Sequence, residues 1–197
     1  MTTPGPPPTI QLRVLSAGAL RALYRLDLTE AGRLVGAEMP EFFTTEGWLW
    51  RWRLHQIEAD PDSAFWYVRA AVAVAPDESD GSDGSDGSDG SDGSGASVVV
   101  VGHAGFHGPP DDVGMIEIGY KVVPELRGYG YGHAIVDALL VEAARQPAVR
   151  VVRASVAPTN APSLALIRRA HFVQVGQQWD AEDGLELVFE RPVILED

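Results

Sequence analysis

The chain has 197 residues, is 45% hydrophobic, contains no cysteine and carries a formal net charge of −13. That length holds one domain or two small ones, and the missing thiols exclude disulfides and thiolate metal sites and suit a reducing, cytoplasmic setting. The acidity argues against nucleic acid as a partner, because phosphate binding needs clustered Lys and Arg, while a cationic substrate such as an amine is tolerated.

The opening MTTPGPPPTI lacks the basic cluster and apolar run of a signal peptide. Residues 1–9 read as a mobile, Pro-rich tail. No apolar stretch approaches the roughly 20 residues a membrane-spanning helix needs, so no membrane partner is expected. Residues 10–15, IQLRVL, read as a strand. Ser16 is placed to cap the helix that follows, with Leu20, Leu23 and Tyr24 at helical spacing. A second helical piece near Glu30–Val35 ends at Gly36, and Pro40 breaks the chain. Thr45 is placed to cap a helix from Glu46 to about Glu58, whose apolar residues run most of the way round.

From Phe65 the texture becomes aromatic and β-branched, and FWYVRAAVAVA reads as a strand. Further strands are expected at SVVVVGHAGFH and at Met115–Val123, with turn chemistry at Gly108–Asp112 between them. A glycine-rich turn leads into a helix from Tyr131 to about Arg145. Val149–Val156 reads as a strand and Ser163–Ala170 as a helix, and a closing hairpin turns at Asp183-Gly184. The order predicts a mixed α/β (α+β) class with a largely antiparallel sheet.

Between the first two strands of that run lies SDGSDGSDGSDGSDGSG. As an interdomain linker it would leave residues 1–75 to fold with uncovered apolar faces. As a hairpin loop it joins two strands that simply pair, and loop-closure entropy grows only logarithmically with length. The triplets also lack the patterns of calcium β-rolls and EF-hands, so no metal is assigned. The expectation is one domain spanning 10–197, with residues 76–97 a disordered insert. Seven acids lie in this region, leaving −6 of the −13 for the rest.

The segment IEIGYKVVPELRGYGYGHAIVDALL carries the chemistry. A strand runs through Arg127, Gly128, Tyr129, Gly130, Tyr131 and Gly132 into a helix. Glycines let a ligand approach the backbone, and the first helical turn offers unpaired amides at the positive end of the dipole. The spacing is neither a P-loop nor a Rossmann fingerprint. From the local pattern, an anion site and a ligand-free tight turn both remain open.

The R-x-x-G-x-G of Arg127, Gly130 and Gly132, following a strand that ends VVP, resembles the acetyl-CoA pyrophosphate loop of the GNAT N-acetyltransferase superfamily. The strand VRASV followed by Asn160, Ser163 and Phe172 resembles the next motif of that superfamily, and the wording EIGYKVVPELRGYGYG is similar to its RimJ/RimL-like branch. The resemblance covers roughly 98–191. Two departures stand out: His171 replaces the usual glycine before the phenylalanine, and Ile167 occupies the place where many members carry a tyrosine acid.

The resemblance implies one GNAT-like domain: about six to seven strands flanked by helices, with a V-shaped splay between the strand ending at Val123 and the strand 149–156. It implies that backbone groups near Val122 and Val123 hold pantetheine, and that amides from Arg127 to His133, through Gly128, Tyr129, Gly130, Tyr131 and Gly132, hold the pyrophosphate. Asn160 and Ser163 lie along the cofactor, or merely cap a helix. Acetyl-CoA is the implied cosubstrate, without a metal. The acceptor is a primary amine, of a small molecule or a protein N-terminus, that attacks the thioester directly. Glu117 is the candidate base, or a structural carboxylate, with His103 and His107 in reserve. Phe42, Phe43, Trp48, Trp50 and Trp52 line an acceptor site or form core. A catalytically inactive CoA-binding or protein-interaction module and a different nucleotide binder are the rival readings, and the oligomeric state, a homodimer included, stays open.

Overall fold

The structure is a computed structural model that describes residues 9–74, 98–181 and 184–193. The proline-rich start and nearly all of the Ser-Asp-Gly repeat region, with the expectations placed on them, lie outside the described residues. Seven strands form one sheet in the order β1-β2-β3-β4-β5-β7-β6. The strands are β1 (Thr9–Val14), β2 (Val68–Val74), β3 (Val98–Phe106), β4 (Met115–Val122), β5 (Val151–Val156), β6 (Val173–Asp180) and β7 (Gly184–Pro192). Only β4 and β5 pair in parallel. Strands β2 and β3 are antiparallel neighbours, so the segment 75–97 connects two strands that pair directly.

Five α-helices cover the sheet: α1 (Ala17–Tyr24), α2 (Leu28–Val35), α3 (Gly47–Ala59), α4 (Tyr131–Ala144) and α5 (Ala161–Arg169). Alternation along the strands decides which helix meets which face. Val68, Ala70 and Val72 of β2 point into the core built with α1, α2 and α3. Ala71 and Ala73 point the other way, into the core built with α4 and α5. The central strands are thus buried on both faces, and β2 reads as a continuous apolar run broken by one arginine.

The local signals act as the sequence suggests. The Ser16 side chain accepts from the amide of Ala19, capping α1. Gly36 closes α2 in the left-handed region at φ 74°. Two boundaries differ from expectation. Thr45 does not cap α3: its hydroxyl donates to the carbonyl of Phe42 inside a 3-10 turn, Glu41–Glu46, and α3 starts only at Gly47. Phe65 and Trp66 are not strand but the end of a second 3-10 turn, Pro61–Trp66. The buried guanidinium of Arg69 bonds the carbonyls of Phe65 and Tyr67, which holds that turn closed before β2 begins.

Candidate active site

The parallel pair β4·β5 is short. It holds at Met115·Val151, Ile116·Val152 and Glu117·Arg153 and then stops, so the two strands fork beyond Glu117. In the antiparallel pair β3·β4, Glu117 and Val123 exchange bonds with β3: the His107 amide donates to the Glu117 carbonyl and the Val123 amide to the Val101 carbonyl. Antiparallel geometry then turns the backbone groups of Ile118, Tyr120 and Val122 toward the fork. Val122 thus presents its backbone to the fork, whereas the Val123 amide donates to β3 and its side chain is buried.

The glycine turn sits at the wide end of the fork. Gly128 and Gly130 have φ of 85° and 86°, which side-chain-bearing residues rarely adopt. Gly130 caps α4, and no side chain bonds the first-turn amides. The Arg127 amide donates to Pro124 and the His133 amide to Gly130. Between them, the amides of Gly128 through Gly132 meet no backbone acceptor among the described residues. A β-carbon on Gly132 would come within 2.8 Å of Leu166, so this glycine lets α4 lie close to α5. The Arg127 guanidinium bends back to the Val122 carbonyl at 3.3 Å. Tyr129 is exposed, and Tyr131 and His133 are half-buried in the first turn.

Asn160 and Ser163 bracket the start of α5. The Asn160 side chain accepts from the Ser163 amide at 3.2 Å, so Asn160 serves as a helix cap. The Ser163 side chain lies beside Tyr120, close enough to oppose the burial that raises the phenol's pKa. No hydrogen bond of good geometry joins the two, and the buried Tyr120 hydroxyl has no partner among the described residues. His171 stands in the left-handed region at φ 60°, a conformation that glycine takes more cheaply.

On the opposite face of β4 lies a cavity of about 600 Å³, walled by α3, β3 and β4. His107 is one of its lining residues, and one carboxylate oxygen of Glu117 lies 4.0 Å from Nδ1 of His107. The His107 ring lies over Gly119, where a β-carbon would approach Nε2 to 2.9 Å. Partial burial lowers the pKa of His107, and Glu117 opposes that shift. Glu117 and His107 therefore form a pair at the base of the fork.

His103 has a different role. Its ring packs among Phe42, Phe43 and Trp50, and burial lowers its pKa to about 4. Its Nε2 is sealed from solvent and 3.9 Å from Glu46. His103 thus stands in the wall of the cavity with Nε2 sealed. Glu46 is itself buried and bonds Lys121 at 2.5 Å.

The aromatic cluster divides in two. Phe43 and Trp50 are core, and Trp50 Nε1 donates to the Phe43 carbonyl. Phe42 is half-buried against that core. Trp48 and Trp52 stack on each other at the mouth of the cavity and remain exposed.

Tyr120 and Arg53 are the site residues that sequence reasoning missed. Tyr120 shares the period-2 face of Ile116 and Ile118, so nothing local separates it from core. Arg53 did leave a signal: it lies on the buried stripe Leu49, Trp50, Arg53 and Ile57 of α3, where a charge is out of place.

A fork in one parallel strand pair, with a glycine-rich helix start at its wide end and an acceptor-sized cavity across the sheet, defines an acyl-CoA-type transferase. The chain matches the acetyltransferase (GNAT) domain family over residues 38–173. It belongs to that family, whose members use acetyl-CoA and need no metal. Solved structures with the same fold include the RimL ribosomal L7/L12 α-N-protein acetyltransferase in complex with coenzyme A, at 16% identity, TM-score 0.57 and coverage of 95% of this chain and 96% of that one. The acetyltransferase that modifies the N-terminal serine of L7/L12 in Salmonella typhimurium gives 16%, 0.56, 94% and 96%. The microcin C7 self-immunity acetyltransferase MccE, in complex with acetyl-CoA and AMP, gives 11%, 0.58, 94% and 93%. Among curated protein sequences, none matches the chain significantly. Among the described residues, no helix is long and apolar enough to cross a membrane, and no cluster of three metal-ligating side chains occurs.

Proposed function

We propose that this protein transfers the acetyl group of acetyl-CoA to a primary amine, of a small molecule or a protein N-terminus, by direct attack on the thioester. The carrying observation is the fork that opens after Glu117·Arg153 and connects the two faces of the sheet. Amides of residues 128–132 hold the pyrophosphate. Backbone groups of Ile118, Tyr120 and Val122 pair with pantetheine, and a fork-facing N–H among them stabilises the developing oxyanion.

The amine enters from the α3-side cavity as ammonium. Glu117, coupled to His107, removes a proton, and the freed lone pair attacks the thioester carbonyl. The tetrahedral intermediate collapses with cleavage of the C–S bond, and the second proton shed by the acylated nitrogen passes through solvent to restore the tyrosinate left when the thiolate is protonated. The Tyr120 hydroxyl protonates the leaving thiolate; its raised pKa keeps it protonated at neutral pH, and it stands in for the tyrosine missing at Ile167. A cytoplasmic setting suits a cysteine-free chain, which needs no oxidising compartment.

An amine panel with acetyl-CoA should release free thiol. No turnover across a broad panel, with no CoA binding by calorimetry, would sink the reading. CoA binding without turnover would favour an inactive module instead, the reading that His171 and Ile167 motivate.

A further inference from the structure

We propose that the acceptor carries a carboxylate close to its amine, and that Arg53 binds that carboxylate. The inference rests on the reading above, in which the α3-side cavity receives the acceptor.

Arg53 lines that cavity and is 5% exposed. Burying a guanidinium is costly unless its charge and donors are matched. Two other charges around the site are matched: Glu46 by Lys121 and Arg153 by Glu190. Arg53 has no carboxylate within ion-pair distance among the described residues. Its Nη1 donates to Gln56 at 2.9 Å and to the His107 carbonyl at 3.2 Å. Its Nε is buried without an acceptor, and Nη2 makes no hydrogen bond among the described residues either.

Arg69 shows what a purely structural buried arginine looks like here. Both of its Nη atoms bond carbonyls, rings of Phe65 and Phe106 flank it, and it does not line the cavity. Arg53 has rings as well, Trp52 at 4.3 Å and Tyr67 at 5.2 Å. These hold the guanidinium plane while Nη2, which is not sealed as Nε is, keeps its donors unspent. A carboxylate at the cavity wall accepts a charge-assisted hydrogen bond from that nitrogen.

The charge balance selects a monoanion. Glu46 and Lys121 also line the cavity and offset each other, which leaves the one guanidinium charge, the match for a monoanion rather than a phosphate dianion. Distance is also informative. Arg53 grips the His107 carbonyl while the His107 ring faces Glu117. The anion site and the proton acceptor are thus bridged by one residue, which suits a free amino acid or an acidic residue at a peptide N-terminus.

The experiment compares matched acceptors by thiol release: tyrosine with tyramine, histidine with histamine, and dipeptide amides beginning with aspartate or serine. Carboxylate-bearing members should win by roughly 10–100-fold in kcat/KM, the usual worth of a hydrogen bond to a charged group. Which pairs respond tells free amino acids from peptide ends. Arg53→Gln should lower kcat/KM for those members by that factor more than for their carboxylate-free partners, with CoA affinity held. Equal activity within every pair, or an equal loss for both members in Arg53→Gln, would overturn the proposal. If Arg53→Gln does not fold, the wild-type preference and Arg53→Lys still decide.

If no amine is acetylated, calorimetry on the CoA-saturated protein compares N-acetyltyrosine with N-acetyltyramine. A preference for the carboxylate that is lost in Arg53→Gln supports the anion site while the transferase reading falls. No preference ends the inference.

Discussion

The two faces of β4 teach different lessons. On the α4 and α5 side, the cofactor surface is made of backbone: glycines at φ of 85° and 86°, amides without acceptors and a strand that leaves its partner. On the α3 side, the surface proposed for the acceptor is made of side chains from distant segments: Glu46 and Arg53 from one end of the chain, His107 and Lys121 from the middle, with Glu117 beside His107. A backbone site needs specific residues in one short window, because only glycine takes those angles cheaply. A side-chain site needs only that the fold bring several windows together. The first kind leaves a motif and the second does not.

This contrast can be broken from either side. The largest effect is expected at the junction. Glu117→Gln should lower kcat by about 10²–10⁴-fold, as for a lost general base, with CoA affinity unchanged by calorimetry. An unchanged pH–rate profile would remove Glu117 from that role.

Next comes the acceptor side in acid. Burial holds His103 at about 4, against about 6.5 in the unfolded chain. The unfolded state therefore takes up a proton that the folded state refuses. Stability is intact above pH 6.5 and falls as pH drops toward 4, by about 3 kcal/mol in all. Urea midpoints between pH 7 and pH 4.5 should show that slope, and His103→Gln should flatten it. A slope that persists in the variant would assign it to other groups.

On the cofactor side, Gly130→Val forces a β-branched residue to φ 86°. Backbone strain of this kind should weaken CoA binding by up to about 100-fold, while leaving the α3 face intact. A normal affinity would show that the glycine turn is only a turn. A smaller loss is expected from Tyr120→Phe, about tenfold in kcat, because a thiolate leaves without full protonation. The smallest effect is expected from the repeat: deleting Ser82–Gly93 should change CoA affinity by less than about twofold, since shortening a loop alters closure entropy only slightly.

Much of the fold was legible along the chain. Ser16, Gly36 and the β-branched runs act locally, so their elements lie where the pattern puts them. The errors fell where a distant group intervened. Phe65 and Trp66 carry strand-like side chains, but Arg69 draws their backbone into a 3-10 turn. Thr45 has the chemistry of a cap, but a 3-10 turn already holds its hydroxyl. Val123 falls on the β3 side of the pleat. In the site, the glycine turn and Glu117 were visible because each departs from its surroundings within a few residues. Tyr120 was not, since an aromatic on a core-facing period looks like core until its hydroxyl is seen unpartnered.

By itself, then, the amino-acid order determined the family, the glycine turn and the place where the cofactor strand ends, all properties of contiguous backbone. The tertiary structure alone decided which amides face the fork, that Glu117 pairs with His107, and that Arg53 is buried with no carboxylate in ion-pair reach among the described residues. Those depend on register and on charges brought together across long stretches of chain, and neither is written in any one window of sequence.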